Sequence, residues 1–107
     1  MKRFTATVTI DRPLGYIDSY RNTYPINYGY IEGIIAGDGE AQDAYVLLET
    51  KKLSSFTGEV IAVVVRKDDV EDKWVVAQTG TILSKKEITA QIAFIEQYFD
   101  SDIFLLD

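Results

Sequence analysis

Two groups of acidic residues stand out in this chain of 107 residues. Asp38, Glu40 and Asp43 are spaced D-G-E-x-x-D within IIAGDGEAQDAYVL, and Asp68, Asp69, Glu71 and Asp72 lie together in RKDDVEDK. Carboxylates this close repel and raise one another's pKa unless a cation sits among them, and hard divalent ions such as Mg²⁺ are bound through such oxygens. On a strand Asp38 and Glu40 would share one face while Asp43 points to the other; on a helix Asp38 and Asp43 would stand well apart. Only a bent loop makes the three converge, and Gly37 and Gly39 permit that bend. The plainer alternative is a pair of solvated acidic hairpin tips.

The elements that must position these acids read as short strands followed by one helix, an α+β order. Phe4, Ala6, Val8 and Ile10 alternate with Thr5, Thr7 and Thr9 as in a half-buried strand, which ends at Arg12-Pro13. Residues 28–35 and 44–49 pair around a turn at 37–39, where Asp-Gly is a hairpin signal. The apolar, β-branched run Val60 to Val65 suits a central strand, with 74–77 as its partner across the turn at 67–73. Five short strands fit a small closed barrel of mainly β structure. Ser84 and Glu87 form a capping box, after which Ile88, Ile92, Ile95 and Phe99 make one helical stripe that packs on the barrel. The pattern predicts one domain over residues 1–107. The apolar tail DIFLLD is expected to cover a barrel edge or a subunit partner.

Composition narrows the chemistry. The chain has no histidine and no cysteine, which excludes imidazole acid–base catalysis, thiol nucleophiles and Cys/His zinc sites. Catalysis would run on carboxylates, hydroxyls, amines and bound metal. Seventeen acidic against eleven basic residues give a net charge of −6, a poor match for nucleic acid. The run 60–65 is far too short to span a bilayer and the start alternates instead of forming an export signal, so a cytoplasmic protein without membrane contact is expected.

YPINYGYI followed by GDGEAQDAYVL resembles the signature region of the soluble family I inorganic pyrophosphatases, in which a YPxNYG segment runs into a D-x-D-x-x-D metal-binding motif. VTIDRP resembles that family's early strand with its acidic metal-site residue, here Asp11. GEVIAVVVRKDDVEDKWVVA resembles its strand, acidic turn and strand, and AQIAFIEQYF its C-terminal helix. The resemblance implies a five-stranded barrel of the OB type and Mg²⁺-dependent hydrolysis of pyrophosphate to two orthophosphates. Asp38 and Asp43 would ligate the metal pair and Glu40 would stand at the general base. Asp68 and Asp72, or Asp69 in place of Asp68, would complete the ligands, and Tyr28 and Tyr98 would meet phosphate oxygens. A homo-oligomer is expected on the same ground.

The chain also departs from that pattern. Only twelve residues separate Asp11 from Tyr24, where the family has a longer stretch supplying a lysine, a glutamate and an arginine. Phe99 stands where a lysine follows the helix tyrosine, and the lysine after the second acidic cluster meets Lys73 or Trp74. Arg12, Arg21, Arg66 and Lys73 are the candidates to replace these cations. Three readings stay open: a pyrophosphate hydrolase, a hydrolase of another phosphorylated small molecule, and a non-catalytic module that binds metal or ligand on the same scaffold.

Overall fold

The computed structural model describes residues 1–69 and 71–107. Six strands and one helix follow in the order β1 (Phe4–Arg12), β2 (Asn27–Ile35), β3 (Ala41–Val46), β4 (Ser55–Arg66), β5 (Asp72–Ala77), α1 (Lys85–Glu96) and β6 (Ser101–Leu105). The sheet runs β1-β2-β3-β5-β4, and a further pairing of β1 with β4 closes it into a five-stranded barrel. All neighbours are antiparallel except β3 and β5. This is the small OB-like barrel, mainly β with one C-terminal helix, that the strand pattern predicts.

Closure depends on β4, which reaches from Phe4↔Val60 and Thr9↔Ser55 on one side to Val65↔Asp72 on the other. The sequence places that strand only at residues 60–65, because Ser55, Thr57 and Gly58 break the apolar run. Thr7 and Thr57 nevertheless share a hydroxyl hydrogen bond of 2.9 Å across the added segment. The tail is a strand in its own right: β6 pairs with β4 from Ala62↔Leu105 to Arg66↔Ser101. The expectation that DIFLLD covers a barrel edge is thus met by main-chain pairing.

Two apolar clusters divide the sheet by face. Ala6, Val8, Ile31, Ala44, Val46, Val60 and Val76 come from all five barrel strands and fill the interior, with Phe4, Phe56 and Trp74 packed against them. On the other face, Tyr24, Tyr28, Tyr45, Leu47, Ile61, Val64 and Val75 receive Ile88 and Ile92 of α1. Strands β3 and β5 are buried on both faces, which is why AYVL and VVA read as unbroken apolar runs. The Ser84 capping box is present, with Glu87 N–H donating to Oγ at 3.1 Å and Ser84 N–H donating to the Glu87 carboxylate at 3.0 Å. The helix ends at Glu96, so Phe99 leaves the predicted stripe and stands beyond the helix. Among the described residues no helix is long and apolar enough to cross a membrane.

Candidate functional site

A cleft of about 740 Å³ opens where the C-terminal end of β1, the loop before β2 and the turn into β5 meet the end of α1. Its walls include Arg12, Tyr16, Tyr24, Tyr28, Asp43, Arg66, Glu71, Lys73, Tyr98 and Phe99. A bulge builds the first wall: Ile10 faces Gly29 and Arg12 faces Tyr28, leaving Asp11 as the unpaired residue. Bulges redirect the side chain that follows, and here Arg12 lies among tyrosines. Its Nη1 donates to the Tyr24 hydroxyl at 2.8 Å, and its guanidinium carbon is 5.8, 5.9 and 5.7 Å from the ring centroids of Tyr16, Tyr24 and Tyr28. Arg12 has no carboxylate within ion-pair distance among the described residues.

Several residues of the YPINYG segment are there for architecture. Tyr24 is buried and packs edge-on against Tyr16, Tyr28 and Phe94. Asn27 is fully buried; its Oδ1 accepts from Leu14 N–H at 3.0 Å and Leu53 N–H at 3.2 Å, and its Nδ2 donates to the Lys51 carbonyl at 2.9 Å. One amide thus ties two loops to the barrel. Gly29 is required by close approach: a Cβ there would lie 1.9 Å from the Thr9 carbonyl oxygen and 2.9 Å from Ile10 Cα. Tyr24 and Tyr28 also border the cleft. Burial, and next the charge of Asp43, push the Tyr28 phenol well above its ordinary pKa, so it stays protonated with its hydroxyl bonded to the Asp43 carboxylate.

The opposite wall is a chain of opposite charges. Lys73 Nζ donates to Asp43 Oδ2 at 2.7 Å and to Glu71 Oε1 at 2.9 Å, with its side chain only 5% exposed. Arg66 donates from Nε and Nη2 to the two oxygens of Glu96 at 3.1 and 2.7 Å, and its Nη1 lies 3.6 Å from Glu71 and 3.8 Å from Asp69. The Tyr45 and Ser101 hydroxyls also donate to Glu96, at 2.5 and 2.7 Å. Burial alone would raise Glu96, yet the bonds from Arg66, Tyr45 and Ser101 outweigh it and hold the carboxyl below the ordinary glutamate value. Burial would likewise lower Arg66, but Glu96 holds it above the ordinary arginine value. The guanidinium also stacks on Phe99, 3.6 Å from the ring centroid.

The structure brings together Arg12, Tyr28, Asp43, Arg66, Lys73 and Tyr98 of the residues singled out by sequence. Of the other acidic candidates only Asp69 comes near, at 3.8 Å from Arg66. Asp38 and Glu40 sit exposed on the β2–β3 hairpin tip, where Gly39 takes φ 85° and Asp38 Oδ1 accepts the Glu40 N–H at 3.0 Å. Between Ile31↔Gln42 and Ile35↔Ala41 the hairpin loses register, and neither Asp38 nor Glu40 lines the cleft that Asp43 borders. Asp11 is the exposed bulge residue, Asp72 is exposed at the start of β5, and Asp68 accepts the Asp100 N–H at 3.3 Å. Arg21 is exposed in the turn closed by Asp18, with φ 65°. Glu71 reads in the sequence as a member of the second acidic cluster with no role of its own, and Glu96 is the residue behind the cleft that sequence reasoning passes over. Glu96 was readable only as a charge on the apolar side of α1, four residues beyond Ile92.

Among the described residues no three acidic side chains converge on a point that could hold a metal ion. Asp43 and Glu71 do approach each other, but the Lys73 ammonium already bridges them. Mg²⁺ demands oxygens at about 2.0–2.1 Å in octahedral array, and it cannot share these two carboxylates with Nζ. The residues present therefore do not fit a divalent ion.

No protein-family model and no curated protein matches the chain by sequence. Solved structures do match by shape. An inorganic pyrophosphatase from Ehrlichia chaffeensis superposes with a TM-score of 0.64 at 16% identity, covering 98% of this chain and 86% of that one. One from Helicobacter pylori gives 0.63 at 17% identity, with 94% and 81% covered. One from Neisseria gonorrhoeae gives 0.61 at 20% identity, with 90% and 73% covered. This chain has the fold of these bacterial pyrophosphatases.

Proposed function

We propose that the cleft binds a small phosphate-containing anion. The observation that carries this reading is the Arg12 guanidinium. It is held on the cleft wall by the Tyr24 hydroxyl and the rings of Tyr16, Tyr24 and Tyr28, with no carboxylate at ion-pair distance among the described residues and Asp18 of the same wall acting on it only from farther off. A guanidinium in this state presents a planar fork that matches phosphate oxygens. The exposed Tyr98 lies on the same cleft and its phenol is a further donor, while the protonated Tyr28 hydroxyl is engaged with Asp43. The likeness in fold to proteins named as inorganic pyrophosphatases supports pyrophosphate as the first ligand to try.

Calorimetric titration with pyrophosphate and with orthophosphate tests this. Arg12→Met is expected to weaken pyrophosphate binding about 10- to 100-fold, since a hydrogen bond to a charged group contributes about 1.5–3 kcal/mol. Unchanged binding in Arg12→Met, or no binding by the wild-type protein with or without Mg²⁺, would refute the reading.

The fold likeness also favours a second reading, Mg²⁺-dependent hydrolysis of pyrophosphate or of another phosphorylated small molecule, with Glu40 as base and Asp38, Asp43, Asp68, Asp72 and Asp11 as the metal's ligands. It requires the hairpin tip to reach the cleft and Lys73 to leave Asp43. Orthophosphate release that needs Mg²⁺ and vanishes in Glu40→Gln and Asp43→Asn would establish it; no turnover of any phosphorylated substrate would remove it.

A further inference from the structure

We infer that Lys73 is the resident cation of this cleft: its ammonium takes the place between Asp43 and Glu71 that a divalent ion would need, so the cleft works without metal. The backbone delivers it there. Strands β3 and β5 run parallel with Ala44 opposite Trp74, and Asp43 and Lys73 each stand one residue before that pair. Neighbouring positions on adjacent strands lie close enough for their side chains to meet, and the two do so at 2.7 Å. Glu71, two residues before Lys73, folds back onto the same ammonium at 2.9 Å. Two of the three ammonium donors are thereby used on carboxylates.

The side chain has no cheap exit. It is 5% exposed, and its Nζ lies 5.7 Å from the centroid of the Tyr28 ring, which adds a cation–π attraction. Arg66 reinforces the arrangement from behind, since its Nη1 approaches the other oxygen of Glu71 at 3.6 Å. A divalent ion entering between Asp43 and Glu71 would have to expel one buried cation and face a second. The lining charges already balance without it, with Arg12, Arg66 and Lys73 set against Asp18, Asp43 and Glu71.

The inference about metal stands on this geometry alone; its extension to ligand binding rests on the reading of the cleft as an anion site. Two titrations separate them. In the first, Mn²⁺ is added to the wild-type protein, to Asp43→Asn and to Lys73→Ala, and the free ion is followed by electron paramagnetic resonance. Wild type and Asp43→Asn are expected to leave the Mn²⁺ signal free. Lys73→Ala, which bares both carboxylates, is expected to gain at least about tenfold in Mn²⁺ affinity, into the 10⁻⁴–10⁻³ M range of weak oxygen-ligand sites. Saturable Mn²⁺ binding by the wild type that Asp43→Asn abolishes would overturn the inference. So would a folded Lys73→Ala protein that binds Mn²⁺ no better than wild type. Should Lys73→Ala fail to fold, the wild-type and Asp43→Asn comparison still decides the matter.

In the second titration pyrophosphate is added to wild-type protein in EDTA and again in Mg²⁺. Binding of similar strength in both supports a metal-free cleft, whereas binding only with Mg²⁺ overturns it. No binding in either, together with the Mn²⁺ gain in Lys73→Ala, would sink the anion reading and leave Lys73 as the resident cation.

Discussion

Glu96→Gln removes one charge from the network behind the cleft and keeps the shape of the side chain. Four donors meet the native carboxylate: Arg66 Nε and Nη2, the Tyr45 hydroxyl and the Ser101 hydroxyl. An amide oxygen can accept from two of them, and its NH₂ then faces groups that are themselves donors. The Arg66 guanidinium, 5% exposed, would keep as charged partners only the longer approaches to Glu71 at 3.6 Å and Asp69 at 3.8 Å. Removing one partner of a buried pair costs about 3–5 kcal/mol. The two remaining acids place the expectation at the lower end, about 3 kcal/mol. In urea this lowers the unfolding midpoint by about 1–3 M for slopes of about 1–3 kcal/mol/M. The pH dependence gives a second check. Glu96 has a folded pKa below its ordinary value of 4.5, so the unfolded chain binds the extra proton as pH falls past about 4.5, and stability is lost as pH drops further toward the folded value. Glu96→Gln should flatten that acid limb while leaving neutral-pH behaviour uniformly weaker. A midpoint shift under about 0.3 M with an unchanged slope and acid limb would show that the network contributes no net stability, and the reasoning would fail.

Two further outcomes follow from the same geometry. Gly29→Ala places a Cβ 1.9 Å from the Thr9 carbonyl oxygen; because backbone cannot yield that far, the β1–β2 seam should open, and loss of soluble protein or of the cooperative thermal transition is expected, whereas a normal melt would contradict the contact. Ser84→Ala removes the hydroxyl that accepts the Glu87 N–H and should cost about 1 kcal/mol in chemical unfolding, with the cleft's ligand binding unchanged.

The barrel was legible because its signals are local. Alternation in β1, the Asp-Gly turn, the doubly buried runs of β3 and β5 and the capping box each depend on a few adjacent residues. What escaped had weaker local signals. The first half of β4 reads SFTGE and joins β1 through main-chain pairing, so residues 55–59 carry no apolar run. Strand β6 is short, exposed along much of its length and readable only as an apolar tail. The YPINYG segment was legible as a signature, yet the close approach that demands Gly29 and the two loops that Asn27 ties belong to contacts with Thr9, Leu14, Lys51 and Leu53, far away in the chain.

By itself, the sequence determined which chemistry this protein can hold: no imidazole, no thiol, an excess of carboxylates, and tyrosines and arginines beside them. Tertiary structure decided which of those groups meet. A bulge at Asp11 set Arg12 among three tyrosine rings, and the parallel pairing of β3 with β5 brought Lys73 onto Asp43. The same fold carried Asp38 and Glu40 out on an irregular hairpin, away from the cleft. Spacing along a chain limits what can converge, but a charge is neutralised by whatever stands within about 3 Å of it. For Asp43 and Glu71 that neighbour is the ammonium of Lys73.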